Sequence, residues 1–189
     1  HSMITLSSVL VSVLICFVIG VPLGVIASYN KWYRDIQNVV LDAMQTLPYF
    51  CYLIPVLMFF GGNIVSAVIA TVIYSVPPII RLTALGLSQV SGGYSEVSKS
   101  FGGTGIQTLN KVKFPLAVPS LVMGFNQTVI MAFAMQIVTP LIGGKGLGLQ
   151  VFNALQRSDT GRGLSAGLAI VLLAIIIDRI THAWTKKQR

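Results

Sequence analysis

Charge is the scarcest ingredient of this sequence. Asp, Glu, Lys and Arg make up only 10% of its 189 residues, where soluble domains carry about 25%. Hydrophobic residues make up 54% and the mean hydropathy is +0.80. A water-soluble globular fold is thereby excluded, and an integral membrane protein is indicated. Histidine is limited to His1 and His182, neither with a partner at ligand spacing, so no metal site is expected and no catalytic triad can form within the apolar stretches. Cys16 and Cys51 both lie in apolar runs, where free thiols behave as small hydrophobes and no disulfide framework is indicated. The glycine-rich run at 141–150 lacks the leading glycine of a phosphate-binding loop and the Ser or Thr that should follow Lys145, and no strand precedes it. Neither a catalytic residue nor a cofactor is expected in this chain.

Long uncharged sequence is what remains. No charge occurs over residues 4–30, 43–80 or 114–144, and a spanning helix needs about 20 apolar residues. The middle run is too long for one span and is interrupted at Gly61-Gly62-Asn63, so it is read as two; a shorter run at 164–177 extends to Trp184. The expected fold is all-α and polytopic, with five transmembrane helices at about 5–28, 41–60, 64–80, 115–141 and 164–184. The first run has no basic n-region and is too long for a signal peptide. His1-Ser2-Met3 read as an expression remnant or a trimmed terminus, with native sequence expected before them.

Ten of the thirteen Lys and Arg fall on one side of this arrangement: Lys31, Arg34, Arg81, Lys99, Lys111, Lys113, Arg179, Lys186, Lys187 and Arg189. Lys145, Arg157 and Arg162 fall on the other. Cytoplasmic loops are the basic ones, so the N-terminus is expected outside and the C-terminus in the cytoplasm. The net charge of +8 then reports topology and contact with a bilayer containing anionic lipid, and nucleic acid is not an expected partner.

Within the spans, Pro22 is expected to kink the first, as a packing feature or as a hinge. Trp32 and Tyr33 belong at interface depth. Pro77-Pro78 should bend or end the third span and aim residues 82–90 towards the cytoplasm. Asn126, Gln127 and Gln136 are amides at membrane depth, which bond across helices or line a watery path; with Met131 they are the candidates for a path through the membrane. Asp42 and Asp178 are expected near span ends, too far from the centre to relay ions.

The polar segment at 91–113 carries the strongest pattern. Gly93-Tyr94-Ser95-Glu96-Val97-Ser98-Lys99-Ser100-Phe101-Gly102 leads on to Val112-Lys113-Phe114-Pro115, so the spacing is Glu, five residues, Gly, nine residues, then Val-x-Phe-Pro. This resembles the loop of permease subunits of bacterial ABC importers: Glu-Ala-Ala, three residues, Gly, nine residues, Ile-x-Leu-Pro. Val97 and Ser98 stand where that pattern has its Ala pair, Val112 where it has Ile, and Phe114 where it has Leu. Glycines at 102–105 divide the segment into two short helical pieces. Glu96, near the start of the first piece, suits the positive end of a helix, and Gly102 allows a backbone turn closed to other residues. A compact helix-turn-helix of this kind offers a surface that a second protein can grip.

Further stretches resemble the subgroup that imports glycine betaine, proline betaine and choline: Leu41-Asp42-Ala43-Met44-Gln45-Thr46-Leu47-Pro48, Tyr52-Leu53-Ile54-Pro55, Phe60-Gly61, Pro77 to Thr83, Gly124 to Thr128, the glycine loop and Ala174 to Thr181. The resemblance implies the type I ABC importer permease fold in a bacterial cytoplasmic (inner) membrane. It implies one transmembrane domain over 4–185, with a cytoplasmic coupling loop at 91–113, an external loop at 142–162 and a basic tail at 186–189. It implies two permease copies, two ATP-binding subunits that hold ATP and Mg, and a binding protein that delivers substrate. Glu96, Lys99, Phe101, Gly102 and Gly105 would couple to the ATPase; Gly143, Gly144, Lys145, Gly146 and Gly148 would meet the binding protein or close the outer mouth. An ion-gradient-driven transporter or channel is the alternative, and a membrane scaffold a third.

Overall fold

Uncharged chain in lipid must satisfy its backbone N–H and C=O groups within itself, which a helix does. Over residues 1–186, which the computed structural model describes, the chain is mostly helical and holds no strand. Helix α1 (Ser2–Tyr29) is followed by α2 (Lys31–Thr46), α3 (Phe50–Phe60), α4 (Ile64–Ser75) and α5 (Pro77–Gln89). Next come α6 (Gly92–Ser100), α7 (Gly105–Thr108), a π-helical turn (Leu109–Lys113) and α8 (Phe114–Met135). A 3-10 turn (Thr139–Ile142), α9 (Leu147–Gln156) and α10 (Thr160–Lys186) complete the order. The expected basic tail lies outside the described residues apart from Lys186, at which α10 ends.

Four helical units are long and apolar enough to cross a membrane: Ser2–Tyr29, Ile64–Gln89, Gly105–Met135 and Thr160–Thr181. The span expected at 41–60 is not one straight helix. It is the pair α2 and α3, bent by 94° at residues 47–49, and it makes a fifth span only if the pair is counted as one. Proline is the cause: Leu47, which precedes Pro48, is held extended at φ −70°, ψ 133°, and α2 cannot continue through it. Pro77 and Pro78 do the opposite of what their pairing suggests. They occupy the first positions of α5, where a missing N–H costs nothing, so α4 and α5 run on as one 26-residue unit and residues 82–89 belong to the span. Pro22 lies inside α1, which continues past it to Tyr29. The stretch expected as an external loop contains α9, packed against α10.

The centre of the bundle is α5, held between α1 and α8. Lipid tails are as apolar as leucine, so helices associate by close packing of small residues rather than by hydrophobic exclusion. Gly20 and Gly24 of α1 lie against Ile79, Ile80 and Thr83 of α5, and a Cβ at Gly24 would stand 2.6 Å from that of Thr83. Gly86 approaches Ser120 of α8 in the same way, and Gly124 of α8 approaches Ile79 and Leu82. Three apolar clusters fill the rest: Val9, Val13, Val129, Ala132, Phe133, Leu147 and Ile170; Cys16, Leu41, Val76, Ile79 and Ile80; and Leu53, Val56, Ala70, Met135 and Ile142.

Candidate functional site

The segment at 91–113 folds as two short helices joined by a tight reversal. Helix α6 ends at Phe101 in a Schellman arrangement: Gly102 N–H donates to the Lys99 carbonyl at 2.8 Å and Gly103 N–H to the Ser98 carbonyl at 2.9 Å. Gly102 takes φ +79°, the left-handed region that L side chains resist. Thr104 then caps α7 in a reciprocal box with Gln107. Ser98 Oγ and Thr108 Oγ1, 2.8 Å apart, staple the two pieces together, while Lys113 Nζ sits 4.9 Å from the Tyr29 ring and ties the segment to the C-terminal end of α1.

No residue of α6 is buried. Glu96 and Lys99 are exposed, and Phe101, at 87% exposure, stands out from the turn. Glu96 is the fifth residue of α6 and not in its first turn, so the favourable contact with the positive helix end expected from the sequence is not what places it. Gly105 sits at the start of α7 in open space. Tyr94, Val97 and Ile106, which sequence reasoning passed over, are exposed, and Tyr94 and Val97 border an open groove of about 630 Å³ together with Phe101. Large apolar side chains in an otherwise polar loop were the available signal, since such a patch marks an interaction surface.

At the opposite end the glycine loop is folded tightly onto its neighbours. Gly143, at φ +89°, lies over the Gly62–Asn63 peptide, where a Cβ would come within 2.6 Å of backbone. Gly144 presses on Thr139, Gly146 on Thr5 and Gly148 on the Gln136 carbonyl. Leu147 N–H donates to Thr5 Oγ1 at 2.8 Å. These glycines therefore join the start of α1, the start of α4 and the end of α8, and Lys145 is the exposed member of the set.

The polar residues of α8 do not converge. Asn126 is 5% exposed with both amide atoms unpaired among the described residues, and Gln136 is buried at the helix end. Gln127 is exposed on the outer face with Ile130 and Met123, and Met131 is half-buried. Elsewhere, Asp42 of α2 accepts from Arg81 Nη2 of α5 at 2.6 Å. The pair joins α2 to α5.

The described helices thus combine membrane spans with a capped, protruding helical turn. The family model for the binding-protein-dependent transport system inner membrane component matches residues 20–189. The chain belongs to that family. It is 46% identical over 185 residues to the glycine betaine/carnitine transport permease protein GbuB of Listeria monocytogenes, covering 98% of this chain and 66% of that one. Identity is 44% over 178 residues to the glycine betaine transport system permease protein OpuAB of Bacillus subtilis, covering 94% and 63%. It is 44% over 189 residues to the glycine betaine/proline betaine permease ProW of Escherichia coli, covering 100% and 53%. The chain spans between about half and two thirds of the length of these relatives. Its fold matches a chain of the inward-facing MetNI methionine ABC transporter with a TM-score of 0.88 at 22% identity, over 99% of this chain and 94% of that one. The fold is therefore that of a type I ABC importer permease, and the protein is a multi-pass component of the inner membrane.

Proposed function

We propose that this chain is the transmembrane subunit of an ATP-driven, binding-protein-dependent importer for a quaternary ammonium osmolyte such as glycine betaine, proline betaine or choline. Identity of 44–46% to betaine permeases over nearly the whole chain carries the reading. Two copies form the pore, two ATPase subunits bind ATP and Mg beneath them, and a binding protein delivers substrate from outside. No catalytic residue or cofactor is assigned to this chain.

In this reading α6, with Glu96, Lys99, Phe101, Gly102 and Gly105, engages the ATPase on the cytoplasmic side, and the N-terminus of α1 faces outward. Leaving aside Arg81, which lies within a span, nine basic residues on one side of the sequence arrangement against three on the other support that orientation. An exposed aromatic on a helix whose end is fixed by a Schellman turn suits a rigid projection into a partner's cleft. The tight packing of the glycine loop shifts any docking role there to Lys145, with the glycines holding the outer ends together.

Purified permease reconstituted with its ATPase and binding protein should accumulate labelled glycine betaine only when ATP is enclosed with the ATPase. Uptake that follows an ion gradient and ignores ATP would overturn the proposal.

A further inference from the structure

The elbow between α2 and α3 lies at membrane depth. Heights can be measured along α1, whose outer end is marked by the Thr5–Leu147 hydrogen bond and whose inner end is marked by Lys113 over Tyr29. At 1.5 Å per residue, Cys16 stands about 16 Å from Thr5 and about 20 Å from Tyr29, near the middle of a hydrocarbon layer about 30 Å thick. Cys16 Sγ is 3.4 Å from Ser75 Oγ, and the neighbouring Tyr74 meets Tyr52 of α3 edge-on, ring centroids 6.1 Å apart. On the other side of the elbow, Asp42 bonds Arg81. Arg81 follows Ile80, whose carbonyl oxygen lies beside Gly24, about 8 Å from the inner end of α1. Residues 46–50 fall between these two levels.

The backbone there is open. The N–H groups of Tyr49 and Phe50 and the carbonyls of Gln45, Thr46 and Leu47 have no partner among the described residues; Tyr52 Oη donates to the neighbouring Met44 carbonyl and fixes the bend. Irregular backbone at such depth persists only where protein buries it or water reaches it. None of the described residues buries it, since every residue over 45–51 is exposed. Asp42, 62% exposed, and Arg81, 36% exposed, form their ion pair towards the inner edge of that layer, on the watery side of the elbow. Lipid tails satisfy neither the open backbone nor the exposed carboxylate. At the corner the rings of Tyr49 and Phe50 are 40% and 48% exposed, with centroids 4.8 Å apart at 44°.

We propose that this elbow lines the water-filled path through the membrane and that Tyr49 and Phe50 form a passing site for a quaternary ammonium head group, held by cation–π attraction. The ligand class rests on the functional reading above; the watery setting of the elbow does not.

The test uses the whole importer in proteoliposomes. A methanethiosulfonate reagent bearing a trimethylammonium group, which reacts with thiols in water, is applied from both sides to a Cys16→Ser variant, and modification of Cys51 is read from the mass of its peptide. Tyr49→Cys in a Cys51→Ser background is read likewise. Reaction at both positions, slowed about tenfold by saturating glycine betaine, is expected. No reaction at either, while Ser95→Cys in the exposed loop reacts, puts the elbow in lipid or under the second copy and overturns the proposal. Reaction without protection overturns the aromatic site. Tyr49→Leu and Phe50→Leu should lower the maximal uptake rate about 3- to 30-fold while Tyr49→Phe retains it. Leucine variants that transport like the wild type remove the aromatic site alone; a wild type that takes up no quaternary ammonium removes the functional reading and the site with it.

Discussion

Gly102→Val separates coupling from every other role of the permease. At φ +79° the residue is the left-handed corner of the turn that ends α6, and its N–H and that of Gly103 close the turn on the Lys99 and Ser98 carbonyls. A Cβ at Gly102 meets nothing within 4 Å, so the substitution produces no clash with a neighbour. Its cost is backbone strain, about 1–2 kcal/mol for an L residue in this region and up to about 3 kcal/mol where the side chain is branched. With tenfold for each 1.4 kcal/mol, a strain of about 2 kcal/mol disfavours the native turn roughly 30-fold against relaxed alternatives. The spans are untouched, so assembly in the membrane should be normal. Substrate-stimulated ATPase activity and uptake in proteoliposomes should fall together. Gly102→Asn should lose less, because Asn visits the left-handed region more readily. Gly167 of α10 supplies the internal control: a Cβ there also meets nothing within 4 Å and its backbone is not left-handed, so Gly167→Ala should leave both activities intact. Wild-type uptake and ATPase stimulation in Gly102→Val would refute the reasoning and remove α6 as the coupling element.

Three further outcomes are expected. A Cys introduced at Ser95 should react with an impermeant thiol reagent only when the cytoplasmic face is open to it; labelling of intact cells from outside would reverse the topology. Gly146→Val should lower the unfolding temperature of the detergent-purified permease, since its Cβ would strike Thr5 and displace the Thr5–Leu147 hydrogen bond, a loss of about 1–3 kcal/mol from overpacking; an unchanged melting profile would mean that the loop is a slack linker. Asn126→Leu, which removes a buried amide unpaired within this chain, should be neutral or stabilising by about 1–3 kcal/mol if the group stays unpaired in the importer. A loss of stability on assembly with the second copy would show that the amide finds its partner there.

The fold was legible wherever a long uncharged run and its breakers point the same way. The first, fourth and fifth expected spans appear as α1, α8 and α10 within a few residues at most boundaries, because length and apolarity alone decide that a segment is buried in lipid. Proline was harder to read, since its effect depends on where the helix starts. Pro48 sits where α2 must stop and breaks it, whereas Pro77 and Pro78 open α5 and cost no hydrogen bond. The loop at 91–113 was legible down to its reversal at Gly102, because a positive φ has few candidates in sequence. The packing of the glycine loop was not, because a glycine that lets another backbone approach looks the same in sequence as one in a flexible linker. The Asp42–Arg81 pair was hidden for a different reason: its partners are 39 residues apart on α2 and α5, and a contact so distant along the chain leaves no local pattern.

The arrangement of glycines says how a push on α6 could travel. Helix α5 leads into α6 through Val90 and Ser91, and continues α4 at its other end. Along its length Gly20, Gly24 and Gly124 on its neighbours, and Gly86 of its own, bring backbones too close for side chains to slide between them. A close-packed contact of this kind resists shear, because any sliding must lift one helix over the side chains of the other. Helices α1, α5 and α8 should therefore move as one body when α6 is displaced. The α2 helix joins that body through Leu41 in the apolar cluster and through an ion pair whose side chains are 36% and 62% exposed, a link that contributes at most about 1 kcal/mol once solvent screening is counted. Stiff contacts lie around α5 and weak ones at the elbow, so relative motion within the subunit is expected to concentrate at residues 47–49, beside the path that the elbow is proposed to line.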